Sequence, residues 1–317
     1  MRSVQRTRVS VYVFLTISLS ALAWGTDRKT YPMDIPATGV QSITFDVQEG
    51  EFVLRGDPAA QTVSMRVSID RTWIFRLGEE GILKRLIKVS GEGTNELKVV
   101  TDIPHSLSNW GRAQYPIDFE IIVPPNLALD VIDTSGIIRI SGMKAAVDIR
   151  DGSGPLSVSD VQGPVTIAKD SGDIQVERVS GNTRITSKSG QMKLRELAAL
   201  EIVQSDGNLD IAQVGTSRVH NNSGNIRISA VSGPLSIDDE SGEVYVTDAK
   251  DDVTIHDTSG QVRVLRAGNV NIQDTSGDIT VEQVASLAVS QKESGQVKVA
   301  DVSGSVQVPS GIGMKRR

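Results

Sequence analysis

The sequence has no cysteine among its 317 residues, and only 4% of its residues are aromatic. Without cysteine there are no disulfide bonds, so stability must come from buried side chains and backbone hydrogen bonds. Beyond Phe119 the only aromatic residue is Tyr245. The larger, C-terminal part of the chain is therefore predicted to have a thin core of aliphatic side chains.

The chain also lacks an apolar run long enough to cross a membrane comfortably. Three arginines in the first eight residues precede the apolar stretch Val9–Leu22, and the small residues Ala21 and Ala23 fit a signal-peptidase site. This stretch is shorter than the roughly 20 apolar residues of a membrane span. We predict that residues 1–23 are a signal peptide, with an uncleaved anchor as the alternative. Residues 24–42 are predicted to be a linker or an extended leading strand.

An excess of positive charge is absent as well. Removal of residues 1–23 leaves 30 Lys and Arg against 39 Asp and Glu, a net charge of −9. This balance argues against nucleic acid or an anionic membrane surface as the partner. We expect an exported protein that is not an integral membrane protein once processed. Periplasm, outer surface and extracellular medium remain open as its location.

Ten glycines between Gly136 and Gly295 recur every 17 or 18 residues, and nine of them follow a serine. Counted from each glycine, positions +2 and +4 are always aliphatic and position +7 is always apolar. A second alternating pair follows a few residues later, as in Val165 and Ile167. Alternation with a period of two indicates strands with one buried face, and the repeated glycine indicates a turn.

Each repeat is therefore predicted to form two short strands separated by two turns. Two strands cannot bury an aliphatic face alone, whereas stacked repeats bury a continuous core of two layers. The predicted fold is all-β: a parallel β-solenoid of about ten two-strand rungs over residues 131–309, followed by a basic tail at 310–317. Residues 43–130 are predicted to form a small β-rich cap with one short helix within Glu79–Lys88.

The order of these parts resembles a known bacterial family. The segments Ile117–Pro124 and Asp130–Gly136, with the repeats that follow, are similar to a family of proposed adhesins. Its members are exported β-strand-repeat proteins with a domain of unknown function, similar to auto-transporter adhesin head proteins. The resemblance covers residues 43–308. It implies a β-solenoid at the bacterial cell envelope and supplies no catalytic residues.

Acidic residues precede most of the Ser-Gly turns. Stacked along one edge, they would form a ribbon of oxygen ligands suited to Ca²⁺. Single Asp and Ser side chains more commonly cap tight turns by bonding to their own backbone, and we favour that interpretation. The residues concerned are Asp133, Asp151, Asp170, Asp206, Asp239, Glu240, Asp257, Asp274 and Glu293.

One outward column of the strands before the Ser-Gly turns holds two of the three histidines. If the rungs are in register, His220, Asp238 and His256 lie on three consecutive rungs. Histidine and carboxylate side chains are common Zn²⁺ ligands, so this column is a candidate metal site. We favour a chance placement of solvated polar side chains, and no cofactor is predicted.

Position +3 faces outward and is mostly basic or polar. It supplies the candidate contact residues for an envelope protein or polymer, which are Arg139, Lys193, Arg227, Tyr245, Arg263 and Lys298. The alternatives are an ordinary solvated sheet face, or a contact surface in the cap around Trp110. Self-association through the solenoid ends is a further predicted contact, opposed by Pro309 and the basic C-terminal residues.

The predicted function is non-catalytic: an adhesin-like binding or scaffolding module at the bacterial cell envelope. A solenoid presents long flat faces, and rungs this tight leave few insertions that would wall an active-site groove. The alternative function is a carbohydrate-active enzyme that acts on envelope or extracellular polysaccharide. That alternative requires a pair of carboxylates in a cleft, and the sequence does not identify one.

Overall fold

The computed structural model describes residues 28–71, 74, 78–102, 117–290, 293–310 and 312–316. The predicted signal peptide and Trp110 lie outside these residues. In the part of the chain that the structure describes, no helix is long and apolar enough to cross a membrane.

Almost all regular structure is β-strand, in one continuous hydrogen-bonded network of 21 strands. The first nine strands are β1 (Arg28–Pro36), β2 (Ser42–Asp46), β3 (Glu49–Gly56), β4 (Thr62–Asp70), β5 (Ile87–Ser90), β6 (Glu96–Thr101), β7 (Ile117–Val123), β8 (Ala128–Asp133) and β9 (Ser135–Ser141). The next six are β10 (Val147–Asp151), β11 (Leu156–Val161), β12 (Val165–Lys169), β13 (Ile174–Ser189), β14 (Met192–Asp206) and β15 (Leu209–Ser223). The last six are β16 (Ile226–Val231), β17 (Leu235–Ala249), β18 (Val253–Ser290), β19 (Val297–Val302), β20 (Val306–Gln307) and β21 (Met314–Arg316).

The repeats stack as two parallel ladders, which confirms the predicted β-solenoid of about ten turns. Ladder A joins the strands that precede each Ser-Gly turn; β8, β10 and β12 pair in register, with Leu129, Val147 and Val165 side by side. Ladder B joins the strands that follow the turn, such as β9, β11 and the first part of β13. The long strands continue round the corner and contribute to both ladders.

Both ladders extend beyond the repeated part of the sequence. β2 pairs in parallel with β8, and β3 pairs with β9, which places Gly50 beside Gly136. β6 and β7 add one more rung outside β2 and β3. Beyond them, β4 and β1 extend ladder B in antiparallel fashion, and β5 does the same for ladder A. The N-terminal β-rich region therefore begins as solenoid rungs and ends as an antiparallel cap.

The predicted short helix is present but covers only Ile82–Leu86, which we call α1. It begins after Gly81, whose left-handed backbone (φ 70°) breaks the helical pattern, and Ile87 is already extended. Residues 24–42, predicted to be a linker or an extended leading strand, contain a strand, since Arg28–Pro36 forms β1.

The core is aliphatic along the solenoid and aromatic only at its N-terminal end. Inward residues of successive rungs, such as Val131, Ile149 and Ile167, are at most 1% exposed. The rings of Phe45 and Phe52 meet edge to face, with centroids 5.2 Å apart, and Phe119 packs beside Phe52. The buried rings therefore cluster where the N-terminal rungs meet the cap.

The corner that leads from ladder B to the next rung is made by a left-handed residue. Counted from the repeat glycine, position +6 has a φ between 52° and 58° in nine rungs and is never glycine in them. These nine residues are Asp160, Arg178, Glu196, Gln213, Ala230, Asp248, Arg266, Gln283 and Asp301. A side chain in this conformation is strained by about 1–2 kcal/mol, so each rung stores a small strain at this corner.

Replacement of Ala230 by glycine is therefore expected to stabilise the protein by about 0.5–1 kcal/mol, because glycine relieves the strain of φ 54°. Ala168 provides the matched control, since it is an exposed alanine in β12 whose φ is not positive. Ala168→Gly is expected to destabilise by about 0.5–1 kcal/mol, because glycine loses more backbone entropy on folding. Urea unfolding measures both; a loss of stability in Ala230→Gly would contradict the prediction.

Candidate functional site

The structure brings the predicted contact residues of position +3 into one outward column on ladder B. Arg139 pairs with Ser157 on the next rung, and the pairing continues through Lys193 and Asp210. Farther along, Arg227, Tyr245 and Arg263 are direct register partners on three consecutive rungs. Lys298 lies between Thr280 and Lys315 of β21 in the same register.

This column is less basic than its sequence suggests, because neighbouring acids neutralise part of it. Arg139 forms an ion pair with Glu51 of β3, and the Lys298 Nζ lies 3.6 Å from a carboxylate oxygen of Asp278. Lys193 and Arg227 have no ion-pair partner within the described residues. The central part of the column therefore keeps two cationic groups available to a ligand.

Tyr245 and Arg263 form a cation–π pair on adjacent rungs. The guanidinium carbon of Arg263 lies 5.9 Å from the centroid of the Tyr245 ring. Such a contact contributes about 0.5–1 kcal/mol at an exposed site and restricts the ring. The pair thus provides the single aromatic surface on the solenoid.

Two shallow depressions lie along this face and share the side chains of Gln191 and Lys193. The first, of about 350 Å³, runs from Arg139 to Lys193. The second, of about 180 Å³, runs from Gln191 to Tyr245. Because they share two lining residues on one rung, they adjoin along the solenoid axis, and we call the two together the ladder B groove.

A row of amide and carboxylate side chains forms one wall of the groove. The backbone N–H of Asn225 donates to Asn208 Oδ1 at 2.9 Å, and that of Glu243 donates to Asn225 Oδ1 at 3.1 Å. The N–H of Gln191 makes the same bond to Asp173 Oδ1 at 3.2 Å. With its oxygen bound to the next rung, each asparagine keeps its two amide hydrogens for another acceptor.

The predicted histidine column is also in register, on the outer face of ladder A. His220, Asp238 and His256 pair side by side on three rungs, and His256 Nδ1 lies 2.8 Å from Asp238 Oδ1. Among the described residues, no three His, Asp or Glu side chains are arranged so that they could hold a metal ion. One reason is visible in the column: Asp238 is already engaged by His256, and His220 is two rungs away from His256.

The acids before the Ser-Gly turns separate into inward and outward groups. Asp170, Asp206 and Glu240 are exposed at the turn, whereas the inward side chains form a buried polar column in ladder A. That inner column is Asp133, Asp151, Lys169, Ser187, Gln204, Asn221, Asp239, Asp257 and Asp274, each at most 6% exposed. The predicted single acidic ribbon is therefore two separate columns.

Several members of the inner column cap the turn that follows them, as the capping interpretation expects. The N–H of Ser153 donates to Asp151 Oδ1 at 3.1 Å, and Asn221 Nδ2 donates to the carbonyl of Ser223 at 3.0 Å. Asp151 also forms an ion pair with Lys169, in which both side chains are fully buried. The inner column therefore contributes to the structure of the turns.

Burial raises the pKa of carboxyl groups in two parts of the inner column, one at Asp133 and one at Asp239 and Asp257. It raises the pKa of Asp133 to about 7, with the carboxyl group of Asp151 adding to the effect. It raises the pKa of Asp257 to about 7, with smaller contributions from Asp274 and Asp239. Asp239 is raised to about 6 by burial, partly offset by its hydrogen bond from Asn221. Within the described structure Asp257 has no side-chain hydrogen-bond partner, and the backbone N–H groups of Ser259 and Thr258 lower its raised pKa only in part.

The repeat region is similar to a known protein family. Residues 165–310 match the family model described as Toastrack DUF4097. These residues are similar to the Toastrack domain. This confirms the family resemblance inferred from the repeats, and the domain is one of unknown function.

Three solved structures share a distant likeness with the chain whose residues 165–310 match the Toastrack model. A proposed cell adhesion protein from Clostridium sporogenes is 8% identical, with 75% of this chain and 99% of that chain covered and a TM-score of 0.33. A proposed lipid binding protein from Parabacteroides distasonis is 18% identical (90% and 98% covered, TM-score 0.34). A proposed adhesin from Bacteroides fragilis is 14% identical (86% and 97% covered, TM-score 0.31). No curated protein matches the chain.

Proposed function

We propose that the protein is an exported, non-catalytic binding module of adhesin-like type at the bacterial cell envelope, and that the ladder B groove is its contact surface. The observation that carries the proposal is that two adjoining depressions follow the in-register +3 column from Arg139 to Tyr245. A groove that follows a stack of identical rungs is suited to an extended ligand, because each rung offers a similar set of contacts.

The available side chains support binding in preference to catalysis. Lys193 and Arg227 are free of ion pairs among the described residues, and the outward amides of Asn208 and Asn225 offer hydrogen-bond donors. Catalysis by general acid and base requires ionisable groups with matched pKa values at one point of a cleft. The groups with strongly raised pKa values, Asp133 and Asp257, belong to the inner column of ladder A and not to this groove.

The double variant Lys193→Ser/Arg227→Ser tests the contact surface. We expect it to lose at least about tenfold in affinity for envelope fragments of the species that carries this chain, because both free cations of the groove are removed. Co-sedimentation of the purified protein with the fragments measures the loss.

The matched control is Arg218→Ser/Lys250→Ser, which removes the same charge from exposed positions outside the groove that likewise have no ion-pair partner among the described residues. It is expected to bind like the original protein. Equal loss in both double variants would show that overall charge matters and the groove does not. Photo-crosslinking probes at Tyr245 and, on ladder A, at Gln273 give an independent comparison: a partner captured only from Tyr245 supports the groove.

A further inference from the structure

The ladder B groove also indicates a chemical class of ligand, an inference that rests on the proposed function. Its charged lining residues are balanced in number: the cations are Arg139, Lys193 and Arg227, and the carboxylates are Asp173, Asp210 and Glu243. Asp210 is in turn held by Arg195, with a nitrogen–oxygen distance of 3.0 Å. A groove without net charge has no electrostatic preference for a polyanion or a polycation.

What the groove does offer is many hydrogen-bonding groups with planar geometry. Amide groups stand at Gln191, Asn208 and Asn225, and guanidinium and carboxylate groups stand beside them. Asn208 and Asn225 are oriented because their side-chain oxygens accept backbone N–H groups of the following rung. Oriented amides cost little side-chain entropy when they bind hydroxyl groups, so they suit a ligand that is dense in hydroxyls.

The spacing of these groups matches the length of a sugar. Rungs repeat at about 4.8 Å along the axis, close to the advance of one pyranose in an extended β-linked chain. From Arg139 to Tyr245 the groove spans seven rungs in register, or about 29 Å. At its end stands Tyr245, whose ring provides the flat apolar surface that packs against the C–H face of a sugar.

We infer that the ladder B groove binds an uncharged, extended polysaccharide that lies along the solenoid axis with about one sugar on each rung. Hydrogen bonds from the oriented amides and from Lys193 and Arg227 hold the hydroxyl groups, and Tyr245 packs against the sugar at the C-terminal end of the groove. The charged side chains act as hydrogen-bond donors and acceptors, and their formal charges cancel over the length of the groove.

The test compares intact envelope fragments with fragments stripped of protein and lipid by protease and hot detergent, which leaves polysaccharide. We expect the purified full chain to bind both preparations equally, and its affinity to change less than about threefold between about 50 and 500 mM NaCl. Binding to intact fragments that disappears after stripping would overturn the polysaccharide ligand while the proposed function stands. Binding to stripped fragments that falls more than about tenfold with salt would overturn the uncharged ligand.

A variant at Tyr245 tests whether the aromatic ring contacts the ligand, without a change in the charge of the groove. Tyr245→Ala is expected to lower affinity for the stripped polysaccharide about tenfold, while Tyr245→Phe retains most of it because the ring remains. Unchanged binding by Tyr245→Ala would overturn the placement of the ligand. Failure of Lys193→Ser/Arg227→Ser to affect intact fragments would overturn the groove itself, and with it the proposed function.

Discussion

Replacement of Gly260 by alanine is expected to destabilise the protein by more than about 4 kcal/mol, the range of the most damaging single substitutions. Gly260 has a φ of 144°, and a β-carbon at this position would lie 1.7 Å from the carbonyl oxygen of Gly242 on the preceding rung. Neither atom can move away, because both belong to the backbone of paired rungs. The midpoint of urea unfolding, together with the yield of folded protein, measures the effect.

Two control glycines separate the close approach from the backbone conformation. Gly39 has a φ of 81° but open space around its α-carbon, and Gly313 has open space and no positive φ. Gly39→Ala is expected to cost about 1 kcal/mol from strain alone, and Gly313→Ala to change stability by less than about 0.5 kcal/mol. If Gly260→Ala loses no more than Gly39→Ala, the rungs are able to separate at the Ser-Gly turn.

The solenoid could be predicted from the sequence because its local and global patterns agree. Aliphatic residues at +2 and +4 alternate with polar ones, and the same alternation recurs at each glycine, so one stacking register satisfies every rung. The rung formed by β2 and β3 could not be found in this way. Gly50 is preceded by glutamate, and residues 57–127 separate its rung from the one that it contacts.

The corner at position +6 has a recognisable residue pattern in the sequence, which the repeat analysis missed. Position +6 has no β-branched or aromatic residue in any rung, as expected where φ is positive. Asp160, Asp248 and Asp301 are of the type that tolerates this conformation best. Attention to glycine alone missed the corner, because glycine occupies the position only at Gly142, in the first full repeat.

The candidate groove was only partly predictable, for a physical reason. The +3 column follows from counting, and the structure aligns Arg227 and Tyr245 as expected. The pairing of its cations with acids does not follow from the repeat spacing, because Glu51 reaches Arg139 from a strand 88 positions away. The inward direction of Asp239 could have been predicted, since it continues the alternation of Leu235 and Ile237.

The stability of the protein is expected to fall as the pH rises from about 4 to about 7. Asp133, Asp239 and Asp257 have raised pKa values in the folded protein, so between their unfolded and folded pKa values the folded state holds protons that the unfolded chain has released. Stability is therefore lost as pH rises through this window and is level above about pH 7. Allowing for solvent near the turns, we expect the unfolding free energy to be roughly 3 kcal/mol lower at pH 8 than at pH 5.

Asp257→Asn tests whether the inner column causes this dependence. The side chain of asparagine fits the column, because Asn221 already occupies an equivalent place and donates to the turn carbonyl two residues on. We expect the variant to be about 1–2 kcal/mol more stable than the original protein at pH 8 and nearly unchanged at pH 5. Urea unfolding at a series of pH values measures the two curves.

His256→Gln is the control for the neighbouring ionisable groups on the outer face. It removes the pair with Asp238 and leaves the inner carboxyl groups in place. Its stability is expected to fall with pH along the same slope as that of the original protein. If His256→Gln flattens the curve and Asp257→Asn does not, the pH dependence arises from the histidine column. A flattened curve in Asp257→Asn alone assigns the pH dependence to the buried carboxyl group of Asp257, which lies between Asp239 and Asp274 in the inner column.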